Sequence, residues 1–152
     1  MKKILIACLG NIFYGDDAFG VEVAKVLLTK ELSQNIKVQD FGIRGIDLAF
    51  ELSESYELVI LVDAVKVGAK AGTVFVIEPK SLETSQIFSH DLTPNKALEL
   101  ANSFAEKPIK MLLIGCEPVN LEFNDEMSDE VKIAVAKAVA KVLEIIKKNE
   151  KI

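Results

Sequence analysis

The sequence is poor in cysteine, histidine and tryptophan. Its 152 residues include two cysteines, one histidine and no tryptophan. Cys8 and Cys116 form no CxxC pair and do not have the spacing of zinc ligands, which argues against a structural zinc site and a dithiol redox motif. We expect both to be reduced, buried thiols in a cytoplasmic protein.

Long apolar runs and an excess of positive charge are also missing. The N-terminal apolar segment at residues 3–9 is too short for a membrane span or a signal peptide core. With 18 basic and 23 acidic residues, the net charge of −5 argues against nucleic acid and anionic membranes as partners. No repeat or linker divides the chain, so we expect one cytoplasmic domain over residues 1–152.

Several catalytic signatures are absent. There is no HExxH motif of a zinc metalloprotease and no GxSxG turn of a serine hydrolase. The loop at residues 10–15 is not GxGxxG, and the acidic Asp16 and Asp17 after it would repel a phosphate, which argues against a nucleotide-binding domain. A flavin domain is disfavoured because few hydroxyl side chains surround this turn. A nucleophilic pair of Cys116 and His90 stays open.

What the chain does have is a regular alternation of strand-like and helix-like segments. Strands are predicted at residues 4–9, 36–41, 58–62, 73–77 and 110–114, and helices at 19–30, 46–53, 93–104 and from 128 onwards. Leu28 and Phe50 are expected on the buried faces of the first two helices. The alternation predicts a three-layer α/β/α sandwich with a mostly parallel five-stranded sheet that contains one antiparallel strand.

Charged residues cluster where the predicted strands end, the edge at which such folds bind ligands. Asp16 and Asp17 follow the first strand, Arg44 follows the second and Asp63 follows the third. An acidic pair at a helix start could simply cap the helix, with Asp16 as the N-cap. The alternative is a metal site, in which Asp17 and Asp63 join His90, because imidazole and carboxylate ligands suit nickel, zinc, iron or manganese.

Five segments resemble motifs of the hydrogenase maturation endopeptidases, in the order and at the spacing of that family. They are residues 10–20, 40–48, 62–64, 89–92 and 114–118. Two positions differ from many relatives: the first metal contact, Asp17, is a glutamate in some of them, and Ala18 is often a glycine. Both differences are compatible with the family pattern.

The resemblance implies a peptidase that removes a C-terminal extension from the precursor of the large subunit of a nickel–iron hydrogenase after nickel has been inserted. Nickel would be supplied by the substrate, with no organic cofactor, and we expect a monomer. Asp17, Asp63 and His90 would contact the metal, and Asp17 is also the candidate general base. A noncatalytic nickel-binding or nickel-checking module remains the alternative.

The resemblance also implies which residues handle the substrate. It assigns this role to the turn after the second strand and to one residue of the first loop. These residues are Asn11, Gly42, Arg44 and Gly45.

Overall fold

A five-stranded sheet forms the centre of the computed structural model, which describes residues 2–43, 45–78, 99, 102–103 and 109–150. The strands are β1 (Ile4–Leu9), β2 (Ile36–Gly42), β3 (Leu58–Ala64), β4 (Val74–Ile77) and β5 (Lys110–Cys116). Their order in the sheet is β2-β1-β3-β5-β4. All neighbours are parallel except β4 and β5. The predicted mostly parallel sheet with one antiparallel strand is therefore confirmed.

Helices cover both faces of this sheet. They are α1 (Phe19–Leu27), α2 (Gly45–Leu52) and α3 (Asp129–Glu150), and a 3-10 turn (Gly15–Ala18) precedes α1. Because side chains alternate along a strand, β1 serves two cores. Its even-numbered residues pack with α1 and α3, and its odd-numbered residues pack with α2. No helix within the described ranges is long and apolar enough to cross a bilayer.

The predicted apolar faces of the helices are only partly correct. The stripe of α3 is buried from Val131 to Ile146 as expected. Leu28, the C-cap of α1, is exposed, and the helix ends at Leu27 and not at residue 30. Phe50 is 72% exposed, whereas Leu48 of the same helix is buried. Of the helix predicted at residues 93–104, only residues 99, 102 and 103 are described, and all three are helical.

Candidate functional site

Two glycines allow the loop between β1 and α1 to lie directly against the carboxyl edge of the sheet. A Cβ atom on Gly10 would overlap the main-chain oxygen of Asp17. A Cβ atom on Gly20 would overlap the main-chain oxygen of Leu9 and would lie 2.7 Å from that of Val62. Only glycine permits this approach, which brings the 3-10 turn with its acidic pair into contact with β3.

The first acid of the pair, Asp16, is a fully buried structural residue. Its carboxylate accepts hydrogen bonds from the main-chain N–H groups of Val119 (2.7 Å), Asn120 (3.0 Å) and Ser128 (2.7 Å). The hydroxyl of Ser128 donates a fourth bond at 2.9 Å. Neither the turn nor α1 has a side-chain cap, so the interpretation of Asp16 as an N-cap is wrong. Asp16 instead joins the first loop to the segment after β5.

The second acid, Asp17, faces the first loop itself. Its Oδ2 accepts a hydrogen bond from the main-chain N–H of Asn11 at 3.0 Å, and its own N–H donates to the main-chain oxygen of Tyr14. The residue is 1% exposed. The two neighbouring carboxylates therefore have different partners, and a cap interaction explains neither of them.

Asp63 lies inside β3 and not after its end as the sequence suggested. The strand continues to Ala64, because Asp63 and Ala64 stay in register with Gly115 and Cys116 of β5. Asp63 is fully buried, and its Oδ1 accepts a hydrogen bond from the N–H of Ala64 at 2.9 Å. The carboxylate is thus held at the same edge of the sheet as the turn that carries Asp17.

Both cysteines are buried and lie near negatively charged carboxylates. Burial raises the pKa of the Cys8 thiol, and the nearby carboxylates of Asp40 and Asp63 raise it further. Burial likewise raises the pKa of Cys116 to about 12, helped by the charges of Asp16 and Glu117. A thiol with such a pKa is almost never a thiolate near neutral pH, so the environment of Cys116 argues against the nucleophilic pair with His90.

The predicted substrate-binding residues are placed around the first loop as far as they are described. Asn11 uses its Oδ1 to accept the N–H of Phe13, which shapes the loop. Gly42 has a positive φ of 55°, and its oxygen accepts the N–H of Gly10 at 2.9 Å. Gly45 begins α2. The turn after β2 therefore lies beside the loop that leads to Asp17, while Arg44 lies outside the described residues.

The described residues include only part of the predicted set of metal ligands. His90 lies outside the described residues. In the ranges that the structure does describe, no group of three or more His, Cys, Asp or Glu residues is arranged to hold a metal ion. Asp17 and Asp63 thus place two carboxylates at one edge of the sheet, and the predicted metal site would need a further ligand from outside the described residues.

One buried acid was not singled out from the sequence. Glu117 follows β5, is 6% exposed and accepts hydrogen bonds from the N–H groups of Val67 (2.9 Å) and Gly68 (2.7 Å). It fixes the loop after β3 and therefore has a structural role. In the sequence, the signal for this role is that Glu117 stands directly after an apolar strand and before Pro118. A carboxylate buried at such a position needs hydrogen-bond donors nearby.

Comparisons with known proteins agree on one family. A family-wide sequence model described as HycI, hydrogenase maturation protease, matches residues 21–145. A Methanocaldococcus jannaschii protein that is provisionally named a hydrogenase maturation protease is 32% identical over 151 residues, covering 97% of this chain and 98% of that protein. The E. coli hydrogenase maturating endopeptidase HybD has a similar structure, with a TM-score of 0.86 and 25% identity over 97% of this chain and 93% of HybD.

A peptidase from a Thaumarchaeota archaeon gives the same result. The structure of this hydrogenase 2 maturation peptidase matches with a TM-score of 0.72 and 31% identity, over 96% of this chain and 99% of that one. The family model begins after Asp17, whereas the match to the Methanocaldococcus jannaschii protein spans nearly the whole chain. The likeness in fold also covers nearly the whole molecule. The chain belongs to the hydrogenase maturation protease family and is a peptidase of hydrogenase maturation.

Proposed function

We propose that this peptidase removes the C-terminal extension from the nickel-loaded precursor of a nickel–iron hydrogenase large subunit. In this proposal the substrate brings the nickel, held by its own cysteines. Asp17, Asp63 and His90 complete the coordination of that nickel from the side of the peptidase. No organic cofactor takes part.

The observation that carries the proposal is the pair of buried carboxylates at one edge of the sheet. Asp17 is 1% exposed and Asp63 is fully buried, and both stand where parallel α/β sheets bind ligands. Carboxylates shielded from water attract a divalent cation more strongly than exposed ones do, because the local dielectric constant is low. The membership of His90 in the set rests on its place in the family-like segment at residues 89–92.

This arrangement would make nickel occupancy a condition for cleavage. A precursor without nickel presents no cation to the two acidic side chains, so it gains nothing from their charge. A precursor with nickel docks by filling the open coordination positions of the metal. Recognition of the metal and selection of the scissile bond are then the same binding event.

Two chemical routes lead from this complex to hydrolysis. The nickel of the substrate can act as a Lewis acid that polarises the scissile carbonyl or lowers the pKa of an attacking water. Asp17 can also accept the proton of that water as general base. In both routes water adds to the carbonyl carbon, the C–N bond breaks, and the leaving amine takes up a proton.

The direct test follows the mass of the precursor after it is mixed with the peptidase. We expect trimming of the nickel-loaded precursor and no trimming of the same precursor without nickel. Asp17→Asn, Asp63→Asn and His90→Gln should each abolish trimming. Glu31→Gln is the matched control, because Glu31 is an exposed acid that precedes β2 at the opposite edge of the sheet.

Three outcomes would contradict parts of the proposal. Equal trimming of both precursors would remove the nickel checkpoint. Trimming by His90→Gln at the rate of Glu31→Gln would remove His90 from the site. Tight stoichiometric binding of nickel by the isolated protein, without any cleavage of the precursor, would favour the noncatalytic nickel module instead.

A further inference from the structure

Exposed apolar side chains gather on the two loops that border the candidate site. Phe13 is 57% exposed and Phe123 is 60% exposed, and both are larger than the side chains usually left in water. We call the whole set the apolar rim. Its members are Ile12, Phe13, Tyr14, Val119 and Phe123.

The two halves of the rim are fixed to one another. The rings of Tyr14 and Phe123 lie in contact, with their centroids 5.4 Å apart. The N–H of Asn124 donates to the main-chain oxygen of Phe13 at 2.7 Å. Below them, the buried carboxylate of Asp16 binds the main chain at Val119 and beyond. These contacts fix the two loops that carry the rim relative to one another.

A cleft extends the rim along the helical face of the molecule. It has a volume of about 700 Å³, lies between α1 and α3, and is lined by apolar side chains such as Ile12, Val26 and Met127 together with charged ones. The charged lining residues are Glu22, Lys25, Asp125, Glu126 and Lys132. A side chain that protrudes from a bound protein could enter this cleft while its neighbours cover the rim. A rigid apolar surface next to a cleft is typical of a site for protein docking.

We infer that the apolar rim docks the folded body of the nickel-loaded precursor. The inference rests on the proposed function. The rim begins at the residue after Asn11, whose N–H binds the carboxylate of Asp17. Since Asp17 and Asp63 are buried, a metal held in a folded subunit reaches them only when that subunit covers the surface around them.

The chemistry of the rim selects a neutral, apolar face on the precursor. None of its five side chains is charged, so charge pairing is confined to the neighbouring cleft, whose lining carries both signs of charge. Aromatic residues at an interface contribute most when a partner excludes water from them. The rim thus supplies affinity for the protein part of the substrate, while the carboxylates supply selectivity for the metal.

The test measures the dissociation constant of the labelled, nickel-loaded precursor for single variants of the peptidase. We expect Phe13→Ser and Phe123→Ser to weaken binding by roughly ten- to a hundredfold, the effect of losing one well-buried aromatic side chain. Phe13→Leu should stay close to wild type, because it keeps most of the apolar area. Ile133→Ser is the matched control, because Ile133 is 63% exposed on α3 and does not belong to the rim.

Cleavage kinetics give a second readout. Rim variants should raise KM and leave kcat near the wild-type value, because the rim binds ground state and transition state alike. Thermal unfolding of each variant separates a docking defect from a folding defect. Val119→Ser provides another rim variant if one of the aromatic variants fails to fold.

The outcomes separate this inference from the proposed function. Dissociation constants of the rim variants equal to that of Ile133→Ser would overturn the inference, whether or not the precursor is trimmed. Tight binding that depends on the rim, without any trimming, would leave the docking surface standing and refute the proposed function. A wild-type dimer that the rim variants convert to monomers would overturn the inference in favour of a second copy of this chain.

Discussion

Replacing Asp16 with asparagine should destabilise the fold far more than a typical surface substitution. The carboxylate accepts four hydrogen bonds, and all of its donors lie in the segment from Val119 to Ser128. An asparagine must turn its NH₂ group towards at least one of these donors, and a buried donor without an acceptor costs about 1–3 kcal/mol. The remaining bonds lose their charge and about half of their strength.

Together these losses predict that Asp16→Asn lowers the free energy of unfolding by about 3–5 kcal/mol, the range for breaking a buried charged network. This is a large share of the roughly 5–15 kcal/mol that stabilises a domain. Urea unfolding measures it as a lower midpoint at an unchanged slope. Asp125→Asn is the control, since Asp125 is exposed in the same segment and accepts one bond from Asn120, so it should cost under about 1 kcal/mol. A loss below about 1 kcal/mol for Asp16→Asn would refute the reasoning.

Three further predictions follow from other parts of the structure. Gly20→Ala should lower the free energy of unfolding by about 1–3 kcal/mol in urea melts, because its Cβ would overlap the ends of β1 and β3; an unchanged midpoint would contradict the close approach. At about pH 8 neither cysteine should react with iodoacetamide before the protein unfolds, since burial raises both pKa values, that of Cys116 to about 12; rapid labelling of the folded protein would show an accessible thiolate. Partial burial opposes ionisation of Glu51, but hydrogen bonds from Lys37 and Tyr56 outweigh it and lower the pKa below 4.5. The stabilisation that ionised Glu51 gives the fold is therefore present above pH 4.5 and is lost as the pH falls through the folded pKa. Glu51→Gln should therefore make the urea midpoint depend less on pH in this acid range. The same pH dependence in the variant and the wild type would contradict the pairing.

Prediction of the fold from the sequence succeeded where apolar residues form a continuous run. It failed where two faces of one helix are both apolar. β1 and β3 are buried on both faces, so their uninterrupted apolar runs identify them directly. In α2 one possible face contains Phe50, and another contains Leu48 and Leu52. The structure buries the second face, because the side of the helix that meets the sheet depends on how the chain leaves β2. Hydrophobic spacing within one short helix does not contain that information.

The candidate site was predictable in its location but not in its details. The rule that ligands bind at the carboxyl ends of parallel strands grouped Asp17 with Asp63, and both do lie at that edge. The sequence placed Asp63 after β3 because Val62 is the last residue of the apolar run. The strand is longer because β5 continues alongside it, and such pairing between distant segments is invisible in either segment alone.

The different roles of the two neighbouring acids arise from long-range contacts. The donors to Asp16 come from residues 103 to 112 positions further along the chain, whereas the main-chain donor to Asp17 is Asn11 in the same loop. Consecutive side chains in a tight helical turn point in different directions, so one acid can hold two loops together while the next faces the edge of the sheet. By joining the first loop to the segment after β5, the first acid holds in place the turn that carries the second. An acidic pair at such a turn is therefore best understood as one structural residue that positions one candidate functional residue.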